Sequence, residues 1–161
     1  MKTTSSDVKT LLVMRHAKSS WDNPHDTDHM RPLNERGDRD APLMAARIAE
    51  LGLPLDAVVT SDATRAMQTA SYVAASTLAP MVATADLYHA GVSEWQQVVA
   101  GFSDDWTGVV GVAHNPGVAE LLERMGGGGD VPTATVLHLQ LPSWDRLLDA
   151  ELVNVLRVRD F

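Results

Sequence analysis

Four short apolar runs, each followed by a stretch of helical character, constrain this chain more than any other feature. Val8–Met14, Leu55–Ser61, Met81–Tyr88 and Gly108–Ala113 have the length and apolar content of buried strands. After the first, residues 35–51 (ERGDRDAPLMAARIAEL) turn helical. Leu43, Ala46, Ile48 and Leu51 are expected along one side, Met44, Ala45 and Ile48 in the core, and Gly52–Pro54 as the stop. The second run leads into an Ala-rich helix over 63–79. The third leads into a short helix opened by Ser93 with Gln96 three residues on, a capping-box spacing. After the fourth, Pro116 opens a helix through Met125, closed by Gly126–Gly129. Two alternating segments, Thr133–Leu141 and Glu151–Phe161, predict a final pair of strands joined across Pro142–Asp149. This order predicts an α/β fold: one domain over 1–161, a three-layer sandwich with a mainly parallel central sheet and helices on both faces.

The totals remove several functions. With no Cys among 161 residues, disulfides, thiolate metal sites and thiol nucleophiles are excluded. A net charge of −8 argues against nucleic acid, whose binding relies on Lys and Arg displacing counterions. No run reaches the roughly 18 apolar residues of a membrane helix, and the polar opening MKTTSSDVKT lacks a signal-peptide core. The expectation is a cytoplasmic protein, monomeric or weakly dimeric, with no membrane partner.

In sheets of this kind ligands bind where strands end and helices begin. Arg15 and His16 follow the first strand, Arg65 sits in the first turn of the helix after the second, and His114 follows the fourth, just ahead of Pro116. Two guanidiniums, two imidazoles and a helix N-terminus are thus predicted at one rim. Arginine forks grip phosphate oxygens, and helix N-termini attract anions. A phosphoryl group of about −1.5 to −2 charge matches that set. An imidazole left neutral at physiological pH can attack phosphorus.

The strings RHAKSSW, RPLNERG, SDATRAMQTA and VAHNPG, in this order, resemble the successive motifs of the histidine phosphatase superfamily, with its phosphoglycerate-mutase-like fold. The short branch typified by the SixA phosphohistidine phosphatases is the most similar. The resemblance implies that His16 is the nucleophile that becomes phosphorylated. Arg15 and Arg65 then hold the phosphoryl oxygens, His114 stabilises charge in the transition state, and water hydrolyses the phosphohistidine without a metal or other cofactor. It implies protein phosphohistidine as the substrate. The alternatives are a broad small-molecule phosphatase, a mutase of the same superfamily, or a phosphate-binding module without turnover. The short interval from Arg65 to His114 leaves no room for a lid domain and favours the phosphatase.

Ser19, Arg31, Glu94 and Asn115 are further substrate-binding candidates. Arg31 either reaches the anion or pairs with Asp26 or Asp28. Glu94 is either the proton donor to the leaving group or an ordinary acid in the first turn of a helix. Asp22 stands where mutases carry Asn and is not counted as a phosphate ligand, and Ala113 replaces a family Gly. His25 and His29 in HDTDH offer a metal reading, although a solvated loop is the expectation. His138 is expected as an exposed strand histidine. Gly126–Gly129 end a helix rather than open one, so they form no phosphate loop.

Overall fold

The computed structural model describes residues 8–161, so most of the polar opening stretch lies outside the described residues. Among the described residues six strands form one sheet, and four α-helices pack against it: β1 (Lys9–Arg15), α1 (Glu35–Glu50), β2 (Ala57–Ser61), α2 (Thr64–Thr77), β3 (Met81–Thr84), α3 (Val92–Ala100), β4 (Gly108–Ala113), α4 (Gly117–Arg124), β5 (Val136–Leu141) and β6 (Glu151–Leu156). The spatial order is β3-β2-β4-β1-β5-β6. The first four run parallel, and β5 and β6 are antiparallel additions at the β1 side. This is the α/β sandwich that the alternation of runs predicts.

Strand alternation divides the core in two. Leu11 and Val13 point to one face, where α3 and α4 bury Trp95, Val99, Val118, Leu121 and Leu122. Leu12 and Met14 point to the other, against Met44, Ala45 and Ile48 of α1 and Ala66, Ala70 and Val73 of α2. Buried on both faces, β1, β2 and β4 read as unbroken apolar runs, as central parallel strands do. Among the described residues no helix is long and apolar enough to cross a membrane.

Local differences from expectation have physical causes. In α1 the buried stripe is Ala41, Met44, Ala45 and Ile48, the i, i+3, i+4, i+7 set, whereas Leu43 is 49% and Leu51 37% exposed and Ala46 faces solvent. The third strand stops at Thr84, whose hydroxyl accepts from Asp86 N–H (3.1 Å) and turns the chain into a 3-10 turn over Ala85–Leu87. Helix α3 begins at Val92, one residue before Ser93: Gly91 is its N-cap, and the Glu94 carboxylate accepts from Gly91 N–H at 2.8 Å. Only this half of a capping box forms, because a glycine cap has no side chain to return the bond, and Glu94 rather than Gln96 supplies it. The last strand ends at Leu156 because a 3-10 turn over Val158–Asp160 follows. His138 is half-buried between Leu12 of β1 and Asn154 of β6, and burial lowers its pKa.

Gly111 of β4 marks the tightest approach of sheet to helix: a Cβ there would lie 2.8 Å from two ring carbons of Trp95, which is fully buried. Gly111→Ala must push that ring off its seat. The expected cost is about 1–3 kcal/mol of stability, read as a lower urea midpoint with an unchanged m-value.

Candidate active site

The register of the sheet assembles the site. Arg15, the last residue of β1, pairs with Ala113, the last of β4, so His16 and His114 emerge side by side. His16 N–H donates to Ala113 O (2.9 Å), and the two imidazole rings lie 5.0 Å apart. Strand β2, on the other side of β4, ends at Ser61, whose hydroxyl reaches His114 Nε2 at 2.8 Å. Two residues after β2, α2 begins, and Arg65 in its first turn swings back over His16. The four residues singled out at strand ends are therefore brought together.

A carbonyl acceptor fixes the tautomer of His16: Nδ1 donates to Ala17 O at 2.7 Å, so the Nε2 lone pair is free of a proton. Arg65 Nε donates to that Nε2 at 3.3 Å. At His114, Nε2 is hydrogen-bonded to the Ser61 hydroxyl, which also accepts from Ala63 N–H (3.2 Å); with its second lone pair and its own proton, that hydroxyl serves either ring tautomer. Burial pushes the pKa of His16 down to about 4, and the nearby guanidiniums of Arg65, Arg15 and Arg31 reinforce it against the Ala17 hydrogen bond. Burial, with His16 and Arg65 close by, lowers His114 to about 3. Both rings are neutral at physiological pH. Arg15 donates through Nη1 to Val131 O at 2.9 Å. Its Nε and the Nδ1 of His114 are buried without a protein partner, close to the unprotonated Nε2 of His16.

Asp28, which the sequence offered as a partner for Arg31 alone, and Tyr88, which no sequence signal marked, organise the rest. One carboxylate oxygen of Asp28 accepts from Arg31 Nε and Nη2 (3.2 and 3.1 Å), the other from Arg65 Nη2 (3.1 Å) and Tyr88 Oη (2.6 Å). Its backbone carbonyl accepts from Arg65 Nη1 at 2.6 Å. The Tyr88 hydrogen bond and the two guanidiniums hold the Asp28 carboxyl well below the usual carboxylate range, despite an opposing desolvation effect. Tyr88 also packs edge-on against His114 and lies 4.0 Å, ring to ring, from His89.

The remaining candidates divide. Arg31, 7% exposed, pairs with Asp28 and not Asp26, donates to Ser19 Oγ at 2.7 Å, and lies 3.5 Å above the ring of Trp21. Ser19 is thereby a support for Arg31. Asn115 ties the loop together, donating to Val131 O (3.1 Å) and accepting from Ala119 N–H (3.1 Å). Glu94 caps α3 and lines the same pocket as His114 and Arg65, a space of about 520 Å³. Asp22 is exposed and its backbone N–H is held by Ser20. His25 is exposed, and His29 is engaged by Asp62 at 2.8 Å. Among the described residues no three His, Asp or Glu converge as a metal site.

An α/β sheet that gathers two histidines, two arginines and a helix N-terminus at its carboxyl rim has the donors and positive charge that suit a bound anion. The Histidine phosphatase superfamily (branch 1) matches residues 11–108, and the chain belongs to that family. It is similar in structure to a candidate phosphohistidine phosphatase SixA of Agrobacterium tumefaciens, with a TM-score of 0.80 and 25% identity over 92% of this chain and 97% of that one. A second SixA candidate, from Nakamurella multipartitia, gives 0.79 and 27% identity over 93% and 96%. An uncharacterised chloroplast protein of Arabidopsis thaliana is 40% identical over 65 residues, 40% of this chain and 30% of that protein. The chain thus spans less than half the length of the curated relatives it matches.

The depressed histidines make the fold acid-sensitive. Unfolded, each titrates near 6.5, whereas folded they titrate near 4 and 3, so their contribution to stability is complete above 6.5 and lost as pH falls toward the folded values. Tm is expected to fall between pH 6.5 and about 4, with a shallower fall in His114→Gln, measured by calorimetry across that range.

Proposed function

We propose that this protein is a phosphatase that works through a phosphohistidine on His16, with protein phosphohistidine as its substrate class. The observation that carries the reading is the state of His16: Nδ1–H pinned to Ala17 O, Nε2 unprotonated, and two unpartnered nitrogens, Arg15 Nε and His114 Nδ1, beside it. In the first step His16 Nε2 attacks phosphorus, a P–N bond to His16 forms, and the bond to the leaving nitrogen or oxygen breaks with its electron pair going to the leaving atom: an imidazole protonated at its other nitrogen departs neutral, and an ester oxygen takes a proton from solvent at the open mouth. In the second, water attacks the same phosphorus, the P–N bond breaks, and orthophosphate leaves with His16 restored.

Arg15 and Arg65 offset the charge on the phosphoryl oxygens, and the Nδ1–H of His114 donates to them in a site with little water, where such contacts are strongest. Asp28 keeps the Arg65 fork in place through two of its nitrogens while Nε faces the nucleophile. An imidazole leaving group departs readily, which suits a pocket where Glu94 is engaged as a helix cap rather than placed as an acid. Likeness to the two SixA candidates supports the phosphohistidine substrate.

Turnover of a phosphohistidine-bearing protein in excess EDTA, set beside a panel of small phosphoesters, tests this. Wild type is expected to prefer the phosphohistidine protein, and His16→Ala to lose at least about 10³-fold in kcat. Turnover of small esters alone would leave the mechanism and overturn the substrate class. Because protonated His16 has no lone pair, kcat/KM, corrected for the substrate's own ionisation near about 6, should hold down to mildly acidic pH. It should fall as one proton binds near pH 4. An acid limb near the ordinary histidine value would contradict the burial of His16.

A further inference from the structure

The structure assigns a charge preference to the leaving-group side of the pocket: Glu94 and Glu120 select substrates whose departing group is neutral or cationic and reject those carrying a second anion. This inference rests on the phosphatase reading and extends it from the phosphoryl group to what the phosphoryl group is attached to.

The pocket of about 520 Å³ has Arg65 and His114 as its inner wall, and His114 is 8% exposed with an unpartnered Nδ1. His16 lies behind that wall, so a phosphoryl group held there directs its leaving group outward, away from His16, as an in-line displacement requires. Among the described residues that line the outward part of the pocket, the imidazole of His89 is a titratable base, and no Lys or Arg is uncommitted. Arg65 is bound to Asp28, and Arg31 is bound to Asp28 and Ser19. The charged side chains that remain are carboxylates. Glu94 comes from the first turn of α3 and Glu120 from the first turn of α4. A Cβ added to Gly91 would lie 3.3 Å from Glu94 Oε1 and 3.5 Å from Glu120 Oε1, so the two acids converge on one glycine of the pocket lining. Among the described residues neither forms an ion pair. An adjoining space of about 380 Å³ continues past Tyr88, His89 and Glu94 to a third acid, Asp86.

The competing effect is the positive end of each helix, about half a unit charge. Two such ends offset about one of the two glutamates, and Asp86 has no helix of comparable length beneath it, so the mouth stays net negative. A sugar bisphosphate, a phosphoglycerate or a nucleoside polyphosphate would bring its second anion against these acids. The imidazole of a phosphohistidine brings none, and a lysine or arginine beside it in a protein substrate would gain from them.

A matched pair of non-hydrolysable ligands separates this preference from turnover: para-aminomethyl benzylphosphonate and para-carboxy benzylphosphonate, titrated calorimetrically into the full chain at low salt. Wild type is expected to bind the ammonium compound at least about ten-fold more tightly, with the ratio shrinking at about 0.5 M salt. In Glu94→Gln/Glu120→Gln the ratio should fall to within about two-fold of unity. Gln at 94 keeps a carbonyl oxygen to accept from Gly91 N–H, and Glu120 has no hydrogen bond to lose, so the double variant retains its fold contacts. Equal affinities in wild type, a preference for the carboxylate, an unchanged ratio in the double variant, or binding of neither phosphonate would each overturn the inference. Failure of the phosphatase reading has a different signature, no turnover of a phosphohistidine protein by wild type, and leaves the phosphonate ratio fully readable.

Discussion

The parallel pairing of β1 with β4 is the contact on which the site depends. It sets Arg15 level with Ala113, and one residue beyond each strand the two imidazoles meet. A shift of one residue in that register would exchange the faces of β1, sending Leu12 and Met14 toward Trp95 and Leu11 and Val13 toward α1 and α2. The two apolar cores therefore hold the register, and the register holds His16 beside His114. Strand β5 secures β1 from the other side, Met14 opposite Val136, and Ala134 N–H closes on the carbonyls of Arg15 and His16 at 3.1 Å. His16 thus sits on backbone fixed from both flanks, while the groups that surround it come from loops and a helix turn.

Burial and positive charge act on His16 in the same direction. Desolvation removes the charged form, and three guanidiniums repel it further, so the lone pair is available without a neighbouring general base. The arginines cannot be desolvated without partners of their own. Arg65 and Arg31 share one carboxylate, Asp28, and Arg15 is content with a single carbonyl. That division has a chemical use. Asp28 holds the neutralised pair, and the unpartnered Arg15 Nε and His114 Nδ1 are the nitrogens with hydrogen-bonding capacity left for a ligand.

The parts of the site legible in the sequence are those that interrupt a local pattern. Arg15 and His16 stand out because a continuous apolar strand ends on them, and His114 and Pro116 because a helix must start there. Ser61 is different: a hydroxyl at a strand end is ordinary, and only the spatial order β2-β4 shows that it faces His114. Asp28 lies in a loop rich in acids, and its partners Arg65 and Tyr88 are 37 and 60 residues away. No local periodicity encodes such separations. The same limit explains α1, where composition alone allowed Leu43 on the buried side and contact with the sheet chose Ala41 and Met44 instead. Glu94 was visible as a helix-start acid, yet the partner that defines its pocket, Glu120, belongs to another helix.

A chain of net charge −8 that binds an anion must separate its charges by depth. Here the cations lie inward: Arg31 and Arg65 are 7% and 5% exposed, whereas Glu94 and Glu120 are on the surface. In the desolvated interior the attraction of guanidinium for phosphate is several-fold stronger than the repulsion from carboxylates that water screens at the mouth. Distance and dielectric therefore let an acidic protein hold a phosphoryl group, and they assign the two signs different tasks. On the proposed function, the buried cations would act on the part every substrate shares, and the exposed acids on the part in which substrates differ.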